Sequence, residues 1–317
     1  MNVSTKQYET IQKVIIRSLE QALKDKEEGK EARVIWRKGW ISDGFNSRPH
    51  NAVSGHPYKG LNTLILAATA ADNGWSNTGW ITKKNALKLG GRIKADQWDN
   101  SPLVFFWKFD ESISKSEWDT LTDEQKKKKS RKGSLIKFYF VYNIEQTENV
   151  KLPKRETVEV DETFDPVTEA EAILDGYLNN GGPKLSHVAG DRAYYKVRAD
   201  AIVLPLREEF KDAGEYYSTA FHEAGHSTGH QSRLNRLDEG ALIAPFGSED
   251  YSKEELVAEF TAAFLNGAAG ITNTIENSAA YIRSWLKRLQ DDPSLALWAA
   301  SKAQKAADLV LASSASD

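Results

Sequence analysis

The segment YYSTAFHEAGHSTGHQS, residues 216–232, constrains this chain more than any other part of its sequence. It holds three of the chain's six histidines, and His222, Glu223 and His226 form an HExxH motif. On a helix, residues four apart lie on one face, so both imidazoles can bind one zinc ion while the intervening glutamate acts as a general base. We therefore predict a helix over about 214–229 that carries half of a metal site. An ordinary amphipathic helix with surface histidines is the alternative.

The third histidine of the segment, His230, does not fit the same metal ion. It follows His222 by eight residues, about 12 Å along a helix axis, whereas Zn–N bonds are about 2 Å long. A chain reversal at Gly229, as in the metzincin pattern HExxHxxGxxH, would require a histidine at position 232, which is Ser232. The methionine turn of that pattern is absent too, since Met1 is the only methionine. His230 is predicted to be structural or to support a ligand.

A later segment, SKEELVAEFTAAFLNGAAG, is the expected source of the third ligand. It places Glu255 and Glu259 four residues apart on the same face as Ala258, whose small side chain permits close helix packing. In the gluzincin arrangement, one acidic residue binds the metal and another, a turn later, orients a ligand histidine. We favour Glu255 as the ligand and Glu259 as the residue behind it, and the reverse assignment stays open. A solvated acidic face is the alternative, although the apolar run 260–265 indicates a half-buried helix.

A catalytic centre of this kind would hydrolyse amide bonds. The metal would polarise a peptide carbonyl, while Glu223 would act as general base and then as proton shuttle. The group that stabilises the oxyanion stays open among five tyrosines, namely Tyr194, Tyr195, Tyr216, Tyr217 and Tyr251.

The two halves of the chain carry opposite net charges. Residues 1–150 hold 25 Lys and Arg against 18 Asp and Glu, whereas residues 151–317 hold 17 against 27. Seven of the nine tryptophans lie in the basic half, and this combination is a recognised sign of nucleic-acid contact. Because the polar segment 145–166 separates the two compositions, we predict two domains, 1–150 and 151–317.

The chain contains no cysteine, which excludes disulfides, thiolate metal sites and cysteine nucleophiles and fits a reducing cytoplasm. Its first residues are polar and charged where a signal peptide would be apolar. The longest apolar run, about 64–71, is too short to span a bilayer. We therefore expect a cytoplasmic protein without a membrane partner.

Hydrophobic periodicity predicts an α+β fold, with a mixed α/β N-terminal domain followed by a mostly helical one. A helix over 5–28 is expected to end at Gly29, and a short helix is expected to begin after Thr82. Thr168 and Glu171 have the spacing of a capping box that opens another helix. Further predictions are helices over about 61–71 and 252–268 and in two C-terminal segments, and strands within 103–109, 135–144, 192–198 and 200–206.

Basic and aromatic residues alternate in the first half of the chain. This mixture suits sequence-independent binding of single-stranded DNA, because cations contact the backbone and rings stack on bases. Tryptophans in a core and a solvated lysine-rich loop at 126–132 are the alternative, and the role of that loop stays open. The candidates from this pattern are Arg37, Trp40, Arg48, Lys83 and Lys84.

Segments from both halves together resemble one known family. In the first half these are PYKGLNTLILA, WITKKNALKLGGRIK and FFWKF, and in the second RAYYKVRADAIVLP, FHEAGHSTGH, RLNR and YSKEELVAEFTAAFL. In this order they are similar to ArdC-type antirestriction proteins, in which a single-stranded-DNA-binding domain precedes a zincin-like metallopeptidase domain. The first of these domains also occurs at the front of TraC-type plasmid primases.

This resemblance implies a role for specific residues. His222, His226 and a glutamate of EELVAE would bind a metal ion, Zn²⁺ with Mn²⁺ as the alternative, and Glu223 would be the catalytic base. It also points to DNA-facing residues in the first half, namely Tyr58, Lys59, Asn62 and Trp80.

The function implied by the resemblance is protection of DNA that enters a cell on a conjugative plasmid or a related mobile element. Its partners would be single-stranded DNA and a protein of the host restriction or DNA-processing machinery. Two alternatives stay open. One is a DNA-targeted zinc metalloprotease acting on DNA-associated proteins, and the other is a metal-stabilised DNA-binding module without turnover.

Overall fold

The computed structural model of the chain describes residues 5–30, 49–109, 121–122, 124–125, 134–153, 165–237, 249–271, 279–292 and 294–314. In these ranges the helices are α1 (Thr5–Glu27), α2 (Leu61–Asn73), α3 (Lys83–Lys88), α4 (Pro166–Asn179), α5 (Ala213–Ser227), α6 (Glu249–Ala269), α7 (Ala279–Asp291) and α8 (Leu295–Ser314). The strands are β1 (His50–Asn51), β2 (Gly79–Ile81), β3 (Arg92–Ile93), β4 (Leu103–Phe109), β5 (Ser134–Phe140), β6 (Tyr142–Asn143), β7 (Thr147–Glu148), β8 (Lys184–His187), β9 (Tyr194–Lys196) and β10 (Ala201–Leu204). The predicted α+β class is confirmed.

The strands of the first half form three small sheets among the described residues. β1 pairs parallel to β2, which pairs antiparallel to β6, and β3 pairs antiparallel to β7. The longest pairing is the antiparallel ribbon of β4 and β5, in which Leu103 lies opposite Phe140 and Phe106 opposite Lys137. The helix predicted after Thr82 is present as α3, because the Thr82 side chain accepts a hydrogen bond from the Asn85 amide and caps its N-terminus.

The second half contains one mixed sheet of described residues, in the order β8, β10, β9. β10 runs parallel to β8 and antiparallel to β9, and α5 packs against both β9 and β10. β8 was not predicted, because its KLSH sequence has neither an apolar alternation nor β-branched residues.

The beginning of α4 differs from the prediction. Its N-cap is Asp165, whose side chain accepts a hydrogen bond from the Thr168 amide, and Pro166 occupies the first helical turn. Proline favours that place because it has no N–H to leave unpaired. The capping box predicted at Thr168 is therefore wrong, and Glu171 instead accepts hydrogen bonds from Arg207 and Tyr217.

The largest apolar core draws on both halves of the chain. Ile15 of α1 and Leu61 of α2 belong to the same buried cluster as Phe221 of α5, Phe260 of α6 and Trp285 of α7. α1 packs against α7, and α8 contacts both α2 and α6. The change in composition near residue 150 therefore does not coincide with a break in the core, and the two-domain boundary stays a prediction. No helix within the described ranges has the length and apolar character needed to cross a membrane.

Candidate metal centre

The HExxH motif lies in α5, as its spacing predicts. Asp212 caps the helix by accepting a hydrogen bond from the Glu215 amide at 2.8 Å. His222 and His226 occupy successive turns of one face, so their ring centroids are 4.8 Å apart and their Nε2 atoms 3.2 Å apart.

A carboxylate from α6 completes a triangle of ligand atoms. Glu255 Oε2 lies 3.5 Å from His222 Nε2, and Glu255 Oε1 lies 3.4 Å from His226 Nε2. Metal bonds of about 2.0–2.2 Å at tetrahedral angles separate neighbouring ligand atoms by about 3.3–3.6 Å. The nearest contacts among the three side chains match this spacing, and one ligand atom from each residue lies within 4.8 Å of the other two, so the group could hold a divalent metal.

Two further carboxylates of α6 lie behind the histidines. Glu259 Oε1 is 3.3 Å from His222 Nδ1, and Glu254 Oε1 is 3.4 Å from His226 Nδ1. Carboxylates at the remote nitrogen fix the orientation of a ligand imidazole. Glu255 contacts the Nε2 atoms of both histidines, whereas Glu259 contacts His222 at Nδ1, so this geometry favours Glu255 over Glu259 as the ligand.

The Glu254 carboxylate is held in turn by Arg236. Arg236 Nη2 donates to Glu254 Oε1 at 2.9 Å and Nε donates to Oε2 at 3.0 Å, and both side chains are buried. Arg236 also donates to the Gly225 carbonyl and to Thr228 Oγ1, which ties the end of α5 to α6. Neither Glu254 nor Arg236 was a candidate from the sequence. The paired glutamates of EELVAE and the RLNR segment were the available signals.

Burial and carboxylates act in opposite directions on the histidines. Burial alone would lower the pKa of His226, but contacts with Glu254 and Glu255 outweigh it and raise the pKa to about 9. Burial would also lower the pKa of His222, but contacts with Glu255 and Glu259 outweigh it and raise that pKa well above 6.5. The histidines lower the pKa of Glu255 despite its burial. Both imidazoles must lose a proton before they bind a metal, so metal uptake would release protons.

The general-base candidate, Glu223, lies next to this triangle. Its side chain is 6% exposed, and burial raises the pKa of its carboxyl above the usual 4.5. The pKa of Glu223 is lowered, but by less, by the nearby His222 and His226 and by the backbone N–H of Tyr195 in β9. A raised pKa suits a base that must accept and return a proton near neutral pH.

Gly225, between the two histidines, allows α5 and α6 to approach closely. A Cβ atom at this position would lie 3.1 Å from Ala258 Cα and 3.2 Å from Thr261 Cβ. Ala258 Cα is a backbone atom, and Thr261 Cβ is bonded directly to the backbone. These atoms can therefore move away only if the two helices separate.

Gly225→Ala is expected to destabilise the protein. Alanine favours a helix by about 1 kcal/mol over glycine, but overpacking of a core contact costs about 1–3 kcal/mol. We therefore expect a net loss of up to about 2 kcal/mol, together with weaker metal binding, because the helix that supplies Glu255 would shift. Urea denaturation with and without metal checks this, and an increase in stability would contradict the close packing.

A second buried network connects β9 to the end of α5. Arg233 donates to both carboxylate oxygens of Asp200, to the Ser227 carbonyl at 2.9 Å and to the Tyr195 hydroxyl at 3.3 Å. His230 belongs to this region, with Nδ1 2.7 Å from Ser232 Oγ and 4.0 Å from Asp200 Oδ2. His230 is not part of the His222, His226 and Glu255 group. Its predicted structural role is consistent with this position.

Asp200→Asn is expected to lower stability at neutral pH and to have less effect in acid. Burial alone would raise the pKa of Asp200, but hydrogen bonds from Arg233 and Tyr195 lower it below 3.8. A depressed folded-state pKa stabilises the protein above the unfolded-state pKa, and this contribution is lost as pH falls through the folded-state value. We expect a loss of about 2 kcal/mol at pH 7, as for a hydrogen bond to a charged group. Urea denaturation across the acid range measures the difference, which should shrink as pH falls below about 4.

The tyrosines considered for oxyanion stabilisation have different surroundings. Tyr195 donates to Asp200, Tyr216 bonds to His187 and Tyr217 donates to Glu171. Tyr194 in β9 is 40% exposed. The side chain of Tyr251 lies outside the described residues. Of the four whose side chains are described, Tyr194 has the most exposed ring.

The DNA-facing candidates from the sequence divide into three groups. Arg37, Trp40 and Arg48, and the lysine-rich loop 126–132, lie outside the described residues. Lys59, Lys83 and Lys84 are exposed, and Lys83 Nζ lies 3.8 Å from the centroid of the exposed Trp98 ring. The buried members are Tyr58, Asn62 and Trp80.

Burial gives two of these candidates structural roles. Trp80 is 0% exposed, so no base can stack on its ring unless the core opens. Asn62 donates to the Phe105 carbonyl at 2.7 Å and accepts from the Phe105 amide at 3.0 Å, which fastens α2 to β4. We therefore reassign Trp80 and Asn62 from DNA contact to support of the fold.

Comparisons with known proteins agree with both halves of the structure. Residues 5–142 match the family described as the N-terminal domain of anti-restriction factor ArdC, and residues 169–302 match the family described as zincin-like metallopeptidase. DNA primase TraC of Escherichia coli is 37% identical over 300 residues, which is 90% of this chain and 19% of TraC. A second TraC of that organism has the same identity over 26% of its length. The chain thus spans about a fifth to a quarter of these curated relatives.

Solved structures match along nearly the whole chain. The Mn(II)-bound crystal structure of the antirestriction protein ArdC from plasmid R388 has a TM-score of 0.67 and 30% sequence identity, and the match covers 95% of this chain and 97% of that one. The metal-free structure of the same protein has a TM-score of 0.64 and 29% identity, over 94% and 97% of the two chains. Because both family matches occur in the expected order and one relative is covered almost completely, the chain belongs to the ArdC antirestriction family.

Proposed function

We propose that this chain is an antirestriction protein of a mobile element that binds single-stranded DNA without sequence preference and carries a peptidase-like divalent-metal centre. The observation that carries the proposal is the triangle of His222, His226 and Glu255 beside the buried Glu223. Family membership supports the antirestriction role, since the ArdC protein that matches this chain comes from a plasmid. The proposed place of action is the cytoplasm, where incoming DNA meets restriction enzymes.

The metal would be held by His222, His226 and Glu255, with Glu254 and Glu259 orienting the two imidazoles. Two imidazole nitrogens and a carboxylate oxygen suit Zn²⁺, which we propose as the resident ion. Mn²⁺ is the alternative, supported by the ion in the R388 ArdC structure.

Peptide hydrolysis would use groups of the chain in defined roles. A bound divalent cation supplies Lewis-acid polarisation of the scissile carbonyl. Glu223 takes the proton from the attacking water and passes it to the leaving amine, for which burial and its raised pKa suit it. β9 is an edge strand in the described part of its sheet, so an extended peptide could pair with it next to Glu223. Tyr194 of β9 is our candidate for stabilising the oxyanion.

The basic half would bind the DNA. Exposed lysines contact phosphates, and exposed rings stack on bases without reading the sequence. The affinity for single strands is therefore expected to fall steeply as salt concentration rises. Equal affinity at low and high salt would contradict this part of the proposal.

Metal analysis of the purified protein, combined with a cleavage assay on DNA-associated proteins with and without single-stranded DNA, tests the proposal. Stoichiometric metal with DNA-stimulated cleavage would support a DNA-targeted metalloprotease as the protective mechanism. Metal that stabilises the fold, with cleavage of no candidate substrate, would favour a metal-stabilised DNA-binding module. Absence of metal after loading would contradict the centre itself.

A further inference from the structure

The β4–β5 ribbon presents aromatic rings to solvent on one face. Phe106 is 45% exposed and Tyr139 is 41% exposed, and their ring centroids are 5.8 Å apart. In the ribbon register Phe106 lies opposite Lys137 and Val104 opposite Tyr139, so all four residues belong to the same face. Tyr58, from the loop before α2, is 7% exposed and packs beside these rings, with its ring centroid 6.0 Å from that of Phe106.

The rings rest on a buried apolar floor. Val104, Trp80 and Leu66 are each 0% exposed and form one cluster with Tyr58. Rings supported in this way keep a fixed orientation, which lowers the entropy lost when a flat ligand stacks on them. The cluster of Trp80 reaches the exposed rings through Tyr58, which lies beside Phe106, and through Val104, which lies opposite Tyr139.

Cations accompany the rings. Lys59 follows Tyr58, Lys137 lies opposite Phe106, and both are exposed. Within the described residues neither forms an ion pair. Residues 126–132, which shortly precede β5, contain six Lys and Arg among seven residues. The charges named on this face and next to it in sequence are positive. They complement nucleic acid, which is a polyanion with planar bases, better than an acidic or a neutral apolar partner.

We propose that Tyr58, Phe106 and Tyr139, with Lys59 and Lys137, form the surface on which this chain binds single-stranded DNA. Bases stack on the exposed rings of Phe106 and Tyr139, Tyr58 buttresses Phe106, and the two lysines contact phosphates. This inference rests on the proposed DNA-binding function and assigns its site. We name these five residues the ring surface.

The ribbon offers a matched control for the test. Phe140 is 59% exposed, more than either proposed ring, but it lies opposite Leu103 and thus on the other face of the ribbon. Removing Phe140 changes the same strand pair and a similar amount of exposed aromatic surface without touching the ring surface.

The experiment measures binding of the full chain to a fluorescein-labelled oligothymidylate by fluorescence anisotropy. The double variant Phe106→Ala/Tyr139→Ala is expected to bind at least about five-fold more weakly for each ring lost, whereas Phe140→Ala binds as the wild type does. Phe106→Tyr/Tyr139→Phe, which keeps both rings, is expected to retain wild-type affinity. Lys137→Glu, at an exposed position that cannot disturb the core, is expected to weaken binding at low salt and less at high salt.

Different outcomes overturn different statements. A wild-type chain that does not bind the oligonucleotide at low salt would refute the proposed DNA-binding function and this site with it. Wild-type binding that survives in both the double variant and Lys137→Glu would refute the ring surface alone. Equal losses in the double variant and in Phe140→Ala would also refute it. A wild-type dimer in sedimentation that the double variant dissociates would show that the face joins two copies of the chain instead. If circular dichroism shows that the double variant is unfolded, Lys137→Glu alone tests the ring surface, and unchanged binding of that variant at low salt would refute it.

Discussion

Glu223→Gln is expected to keep its metal and to lose peptide hydrolysis by roughly 10²–10⁴-fold, the usual contribution of a general base. Glutamine has nearly the shape of glutamate, and the ligand triangle of His222, His226 and Glu255 does not include residue 223. The amide cannot accept the proton of an attacking water. Elemental analysis measures the metal, and the DNA-dependent cleavage assay measures turnover.

The matched control is Glu208→Gln, which makes the same carboxylate-to-amide change at an exposed position outside the metal centre. It should leave both the metal content and the rate of cleavage unchanged. If Glu223→Gln cleaves substrate as fast as the wild type, Glu223 is not the base. If cleavage is lost but cells still protect incoming DNA from restriction, the peptidase centre is not the protective mechanism. The second result would favour DNA binding alone as the source of protection.

Arg236→Ala is expected to cost about 3–5 kcal/mol of stability, because it leaves a buried carboxylate without its partner. Arg236 and Glu254 are 7% and 6% exposed at their side chains, and Glu254 in turn lies against His226 Nδ1. Loss of a residue that orients a ligand typically weakens metal binding by about 10–100-fold. Urea denaturation gives the first quantity, and competition with a chelator gives the second.

The comparison variant is Arg207→Ala. Arg207 also pairs with a glutamate, Glu171, at 2.7 Å, but the two side chains are 52% and 34% exposed. An exposed pair contributes about 0–1 kcal/mol. Neither Arg207 nor Glu171 belongs to the ligand triangle. Similar losses in the two variants would mean that burial does not determine the effect. An Arg236→Ala protein with wild-type metal affinity would show that Glu254 does not depend on Arg236 for its orientation.

The metal triangle could be predicted from the sequence because each of its two parts is a four-residue spacing within one helix. The spacing of His222 and His226 within one helix places both imidazoles on one face, and a second helix with Glu255 and Glu259 narrows the third ligand to two residues. The choice between these two depends on how α5 and α6 pack together, which Gly225 and Ala258 permit but do not specify. The Arg236 contact requires the chain reversal after α5, which no local pattern predicts.

The DNA-facing residues were harder to predict because composition does not distinguish a buried ring from an exposed one. Trp80 and Phe106 both lie in short apolar stretches. Trp80 is buried within a cluster, however, whereas Phe106 is 45% exposed and packs against Tyr139. In LVFFWKF every position but one is apolar, so strand alternation cannot assign a face. The strand pairing assigns the faces, but exposure depends on what packs over each position: Val104 and Phe106 share one face, yet Val104 is 0% exposed and Phe106 is 45% exposed.

The core that α1 and α2 share with the C-terminal helices also limits how such a gene can be rearranged. A recombination junction near residue 150 would separate Ile15 and Leu61 from Phe260 and Trp285, leaving apolar helix faces open to water on both fragments. Exchange between mobile elements should therefore preserve the unit as a whole. The similarity to TraC has this form, extending through 300 residues of a much longer protein.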